Sequence, residues 1–275
     1  MLVPLEKAHL PCDMSPMKIV TTHPIATDIV VALGQTALLA AISDACPGFP
    51  PLQGLPRGHW TQTDGGGPRT SVEFSDVVSA IAPDLLIARR VGAPTGVDAE
   101  AGASEVGGVR IASITLGAAS FDALWREIGA VGEALGLGML ASAIVSGLRG
   151  RLDDVARSLK AAEGQPRGKV VITAPDLSEV ELAWLSTVAA CAYCEVIRPE
   201  DKAGVGAAEA AILVSGSGSR QALAGAPATV IDLDPALRAP GPRTVELVEM
   251  IAAAAWPELV PSLGHRHSAR LRSEG

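Results

Sequence analysis

The sequence predicts an α/β architecture: two Rossmann-like lobes with parallel sheets, joined by a long connector helix, with a ligand cleft between the lobes. Strand-like apolar runs recur at "KIVTT" (18–22), "LLAAI" (38–42), "DLLIARR" (84–90), "VRIASI" (109–114), "KVVITA" (169–174), "AAILVSG" (210–216) and "ATVIDL" (228–233). Most are followed by helix-like stretches of Ala, Leu and Glu, the alternation that builds parallel sheets with helical crossovers. The alternation stops once, from Ser120 to about Glu163, where there is no strand signal. At 275 residues the chain is long for one average domain, so two cores are expected, and two lobes imply a cleft.

Residues 1–16 read as a loose leader, since "MLVPLEKAHLPCDMSPM" lacks the apolar core of a signal peptide and "HLPC" has no hydrophobic segment ahead of it. The N-terminal lobe spans 17–118. Its first strand breaks at His23-Pro24 and resumes with helical spacing through Ile25, Ile29, Val30 and Leu33. "HWTQTDGGGPRTS" (59–71) and "VGAPTGVDAEAGASEVGG" (91–108) are polar, Gly-rich insertions placed where loops would face the cleft. The helical connector is 119–164. Ser120 and Asp122 start its first helix, "GLG" at 136–138 ends it, and the next segment is long enough for about 25 residues of helix, roughly 37 Å. A rigid helical link of this kind predicts only a small closure on ligand. The C-terminal lobe is 165–260. A disordered tail is expected at 261–275, with His265, Arg266, His267, Arg270 and Arg272 as a solvated, frayed basic end.

Composition narrows the function. Thirty acidic against 22 basic residues give a net charge of −8, the wrong sign for nucleic acid or an anionic membrane surface. No apolar run approaches the roughly 20 residues of a spanning helix, so no membrane insertion is expected. The chain reads as cytoplasmic, or as periplasmic if the true start lies upstream. Cys12, Cys46, Cys191 and Cys194 are too few and scattered for a disulfide framework. The motifs of serine hydrolases, zinc peptidases and P-loop enzymes are absent, which points away from catalysis. The core is aliphatic, with 3% aromatic residues, so an aromatic near a site is informative.

Five strings in order carry a resemblance. "KIVTTHPIATDIVVALG", "ISDACPGFPP", "SDVVSAIAPDLLIA", "FDALWREIGAVGEALGL" and "APGPRTVELVEMIAAAAWPEL" are similar to successive segments of the helical-backbone (class III) solute-binding proteins. These carry cobalamin, haem or ferric siderophores to ABC importers, and the nearest likeness is to the leaderless cobalamin-binding branch. The resemblance covers about 17–260. It implies a non-enzymatic binding protein for a cobalamin-like corrinoid or another tetrapyrrole, haem included, acting as carrier, buffer or sensor. The implied partners are the small-molecule ligand and an ABC importer or a cytoplasmic acceptor protein.

In open α/β sheets ligands bind beyond the carboxyl ends of strands. His23-Pro24 and Cys46 fall at such ends, and an imidazole or thiolate there could be an axial ligand to cobalt or iron; a hydrogen-bonded loop histidine and a small buried cysteine are the plainer alternatives. Asp44, beside Cys46, and Arg89, in "ARRVGAPTGV", join the ligand-facing set, as do His59 and Trp60 in their Gly-rich loop. Trp184 is placed in the cleft by the resemblance, whereas Trp125 shares a helical face with Phe121 and Ile128 and reads as packing. Ser215 opens "SGSGSR", a loop bordering the cleft that fails as a dinucleotide fingerprint. Arg243 of "PGPR" suits either a ligand carboxylate or a structural ion pair. "CAYC" (191–194) lacks a second half-site for zinc and reads as helix-end packing. Two other readings stay open: a thiol-dependent metal-handling factor or enzyme using Cys46, Cys191 and Cys194, and a degenerate homologue serving as an interaction module.

Overall fold

The computed structural model describes residues 16–46, 52–58, 60–62, 68–70, 72–89, 100–106, 108–172, 177–197, 211–215, 229–232, 237, 240–267 and 271–273. The N-terminal elements are β1 (Ile19–Thr21), α1 (Pro24–Ala32), β2 (Leu39–Ser43), β3 (Arg57–Gly58), β4 (Trp60–Gln62), β5 (Pro68–Thr70), α2 (Val72–Ile81), β6 (Leu85–Arg89), β7 (Glu100–Val106) and β8 (Val109–Leu116). One sheet has the order β3-β2-β1-β6-β8-β7, and β4 and β5 form a separate antiparallel pair. Within the larger sheet only β7 runs antiparallel, to β8. β1 has no solvent-facing side: Ile19, Val20 and Thr21 are all buried, as the central strand of a sheet covered on both faces requires.

The connector consists of α3 (Phe121–Ala134) and α4 (Gly138–Ser158). The Ser120 hydroxyl caps α3 by accepting from the Ala123 N–H at 3.2 Å. At 21 residues α4 is about 32 Å long, enough to reach both cores. Ala141 and Leu148 are buried with the first sheet's core, Val155 with the second's, and Leu152 packs against both.

The second lobe contains β9 (Gly168–Ile172), α5 (Glu179–Cys191), β10 (Cys194–Ile197), β11 (Ala211–Ser215), β12 (Thr229–Asp232), α6 (Thr244–Ala255), α7 (Pro261–His267) and β13 (Leu271–Ser273). Its sheet order is β10-β9-β11-β12-β13, parallel except for β13.

All seven apolar runs read from the sequence lie on strands, and six further strands among the described residues come from segments read otherwise, β4 and β5 lying in the 59–71 insertion. β7 lies in the 91–108 insertion; the turn at Gly108, with φ of 79°, folds it back on β8 despite its weakly apolar sequence. β10 begins at Cys194, so "CAYC" spans the end of a helix and the start of a strand. Pro261–His267 and Leu271–Ser273, in the stretch expected as a disordered tail, form α7 and β13.

The reason for that order is electrostatic. Glu249, buried on α6, accepts two hydrogen bonds from Arg151 of α4, both 2.8 Å, one from Arg266 at 3.1 Å, and pairs with His267 Nε2 at 2.8 Å. The basic end expected to be solvated thus anchors α7, with His267 itself buried. A buried carboxylate is tolerable only when so fully paired.

Removing that partner set should be costly. Burial alone would raise the Glu249 carboxyl, but hydrogen bonds from Arg151 and His267 and the charges of Arg151 and Arg266 together hold it below its ordinary 4.5. Its contribution is therefore present above the unfolded-state value and lost as pH falls through the folded one. Glu249→Gln is predicted to lower unfolding free energy at neutral pH by about 3–5 kcal/mol, read by urea denaturation; a loss under about 1 kcal/mol would reduce the cluster to a surface feature.

Candidate functional site

Each sheet has a switch point, where connections leave neighbouring strands in opposite directions. In the first sheet α1 carries the chain from β1 to β2, while β6 continues toward β8, so the crevice opens between the carboxyl ends of β1 and β6. His23 follows the first end and Arg89 closes the second, with Thr21 in register with Ile87. In the second sheet the corresponding point lies between β9 and β11, and Ser215 is the last residue of β11.

Those ends face one another across the lobes. Asp28, one turn into α1, receives the Arg243 Nε–H at 2.7 Å and the Arg243 backbone N–H at 3.2 Å, at the start of α6. Phe121, opening α3, lies 5.6 Å from Trp125 and 5.0 Å from Trp184 of α5, centroid to centroid. Arg89 senses the charge of Glu181 in the first turn of α5. The first turns of α1 and α6 therefore meet, and the start of α3 meets α5, across the boundary between the lobes.

His23 is the N-cap of α1. Its Nδ1 accepts the Ile25 N–H at 3.2 Å, and Pro24 at the first helical position needs no partner. Burial, helped by the positive charge of Arg89, lowers its pKa to about 3. The ring is neutral at physiological pH, and because Nδ1 is an acceptor the ring hydrogen sits on Nε2.

Cys46 departs from the metal-ligand expectation. Its side chain is buried, its Sγ lies 3.1 Å from Thr27 Oγ1, and its carbonyl accepts from Arg57 at 2.7 Å. Burial pushes its thiol up, so it is protonated and inward-facing. Cys191 and Cys194 behave likewise: burial raises both, the second to about 12. All three are free thiols.

Arg89 is largely buried, which lowers its pKa, while the charges of Glu127 and Glu181 oppose that shift. Both carboxylates also hold other groups. Glu127, fully buried on α3, accepts the Gly117 and Ala118 N–H groups, the second at 2.6 Å. Glu181 closes a capping box with Ser178, accepting from its N–H at 2.8 Å and its hydroxyl at 2.7 Å.

Other expected residues take different places. Trp184 packs in the second core at 3% exposure, so it is no open cleft wall, yet its Nε1–H has no partner among the described residues. Arg243 makes the interlobe ion pair with Asp28. Asp44 is exposed in the turn after β2, its N–H donating to the Gly58 carbonyl at 2.9 Å. Trp60 begins β4, and His59 lies outside the described residues. Trp125 is buried against Phe121. It also lines an open groove of about 470 Å³ between α3 and α4, with Gly129, Ser146, Arg149 and Asp153. Sequence reasoning missed Glu127 and Glu181. The "SEVE" capping pattern could have flagged Glu181, but nothing local marks Glu127.

No helix among the described residues is long and apolar enough to cross a membrane. The sequence matches no protein-family model. It also matches no curated protein. Solved structures are more informative. A periplasmic haem-binding protein from Pseudomonas aeruginosa is 20% identical, with 95% of this chain and 96% of that one covered and a TM-score of 0.63. The periplasmic haem-binding protein RhuT from Roseiflexus sp. RS-1, in apo form, is 16% identical over 89% of this chain and 100% of its own, with a TM-score of 0.58. Helicobacter pylori CeuE with Ni(II) bound is 13% identical over 94% and 91%, with a TM-score of 0.59. The chain thus has the two-lobed fold of the helical-backbone solute-binding proteins, and these neighbours are binding proteins rather than enzymes.

His23 gives the site a pH signature. The unfolded chain titrates near 6.5 and the folded imidazole near 3, so protons favour unfolding throughout that interval, and stability falls as pH drops below 6.5. Between pH 6.5 and 4.5 the wild type is predicted to lose roughly 2–3 kcal/mol from this residue. His23→Asn, which keeps a capping side chain, should show no such loss. Parallel urea denaturation curves for the two proteins would contradict the assignment.

Proposed function

We propose that this chain is a non-enzymatic binding protein that holds a tetrapyrrole between its lobes. What supports the proposal is that α1 meets α6 and α3 meets α5 across the lobe boundary, beside the sheet switch point where His23 and Arg89 stand, and it is there that the ligand cleft would open. Such a cleft suits a flat ligand with an apolar body and anionic substituents, since the helix ends and Arg89 supply donors and the surrounding chain is aliphatic. Haem is supported by the names of the structural neighbours, and a cobalamin-like corrinoid by the sequence resemblance. The periplasmic naming of those neighbours favours the exported reading, with hand-over to an ABC importer; a cytoplasmic carrier or sensor is the other. The thiol-dependent alternative has no support, because Cys46, Cys191 and Cys194 are held protonated by burial.

Visible absorption titrations with haem, cobalamin and cobinamide test this reading, each chromophore reporting its own environment. Saturable binding of at least one at a single site is the expected result, and no spectral change with all three would overturn it. Trp60→Ala is predicted to weaken that binding about ten- to a hundred-fold through loss of a stacking surface, while Trp125→Ala leaves it within about three-fold.

A further inference from the structure

Taking the tetrapyrrole reading for the ligand, we infer that Glu127 is a positioning residue of the cleft: its buried carboxylate fixes the loop that follows β8, and with it the place where Phe121 meets the second lobe.

Glu127 is 1% exposed, a place a carboxylate takes only with hydrogen bonds to hold it. It accepts the backbone N–H groups of Gly117 and Ala118, the second at 2.6 Å, and both bonds end on the same oxygen, Oε1. Both residues are buried, so either N–H would be costly without an acceptor. The bonds span ten and nine residues, which closes the end of β8, the loop and the first two turns of α3 into one unit. Inside it the Ser120 hydroxyl holds the Ala123 N–H at 3.2 Å. Any shift of the loop breaks one of these bonds.

Leu116, the last residue of β8, is in register with Arg89, the last of β6, so the loop leaves the sheet beside the switch-point crevice. Phe121 follows at the lobe boundary. Phe121 and Leu152 pack against both cores, and the Phe121 ring lies 5.6 Å from Trp125 in the first and 5.0 Å from Trp184 in the second. Aromatic pairs are favourable over a range of separations and tilts, here 28° and 52°, so the rings themselves do not set the spacing of the lobes. The backbone that carries Phe121 does. Asp28 and Arg243 fix the boundary where α1 meets α6, and Glu127 fixes it where α3 meets α5. Since both bonds use one oxygen, the carbonyl of a glutamine could accept them equally, and the role needs an acceptor rather than a charge.

Haem titrations, near-UV circular dichroism and amide exchange on wild type, Glu127→Leu, Glu127→Gln and Phe121→Leu test this, with far-UV circular dichroism checking the fold. Glu127→Leu should weaken haem binding about ten- to a hundred-fold, lose near-UV signal from the Phe121, Trp125 and Trp184 cluster, and exchange the Gly117 and Ala118 amides about ten-fold faster or more. Glu127→Gln should recover most of all three. Phe121→Leu, which leaves the clamp intact, should weaken haem binding to a similar degree with those two amides still slow, and it carries the test should Glu127→Leu fail to fold. Wild-type haem affinity in Glu127→Leu or in Phe121→Leu overturns the positioning role while the tetrapyrrole reading stands. Glu127→Gln as impaired as Glu127→Leu overturns the acceptor role. If wild type binds no tetrapyrrole, that functional reading falls, and the two amides and the near-UV signal decide the clamp: losses in Glu127→Leu that Glu127→Gln recovers support it, and their absence refutes it.

Discussion

The Asp28–Arg243 ion pair is the constraint from which the cleft follows. It joins helices whose positions are fixed by different sheets, at 2.7 Å, with the Arg243 side chain 16% and the Asp28 side chain 4% exposed. Burial pushes the Asp28 carboxyl up, while Arg243 opposes this through its charge and through hydrogen bonds from its backbone and side chain. Two isolated charges could not occupy that place, and either one left alone would be strongly destabilising. Gly241 makes the approach possible, because a Cβ there would come within 3.2 Å of Asp28 Oδ2. With α4 seated in both cores and Glu249 tying α4 to α6 and α7, the lobes are held by contacts far apart in sequence. Bracing of this kind leaves little freedom for a large hinge motion between the lobes.

The same economy governs the chemistry of the crevice. His23 follows a strand and caps a helix, and the cap depends on the ring staying neutral, since Nδ1 must accept the Ile25 N–H. Thr27, one turn into α1, sits 2.6 Å from Thr21 Oγ1 and 3.1 Å from Cys46 Sγ, so the polar atoms beneath His23 satisfy one another.

Much of the architecture was legible because parallel strands covered on both faces must be nearly continuous apolar runs, and all seven such runs lie on strands. β7 was not legible because an edge strand needs only backbone pairing and a turn, so "EAGASEV" carries little pattern. The basic end was misread for a related reason: a charge run signals solvent unless its partner is known, and Glu249 lies 17 and 18 residues before Arg266 and His267. In the site, His23 stood out as a break between two periodicities. Trp184 was assigned to the cleft, although Leu185 and Val188 beside it already marked a buried helix face. Arg89 entered only through its string; that the charges of Glu127 and Glu181 reach it is a property of three dimensions, since both lie on other elements.

Amide hydrogen exchange with and without bound haem tests the central claim most directly, because it locates the ligand without substituting any residue. The account predicts added protection in the segments around His23–Ile25, Ile87–Arg89 and Ser178–Leu185, where the two lobes' strand and helix ends converge. Protection confined to the α3–α4 groove around Trp125 and Arg149, with those three segments unchanged, would contradict it.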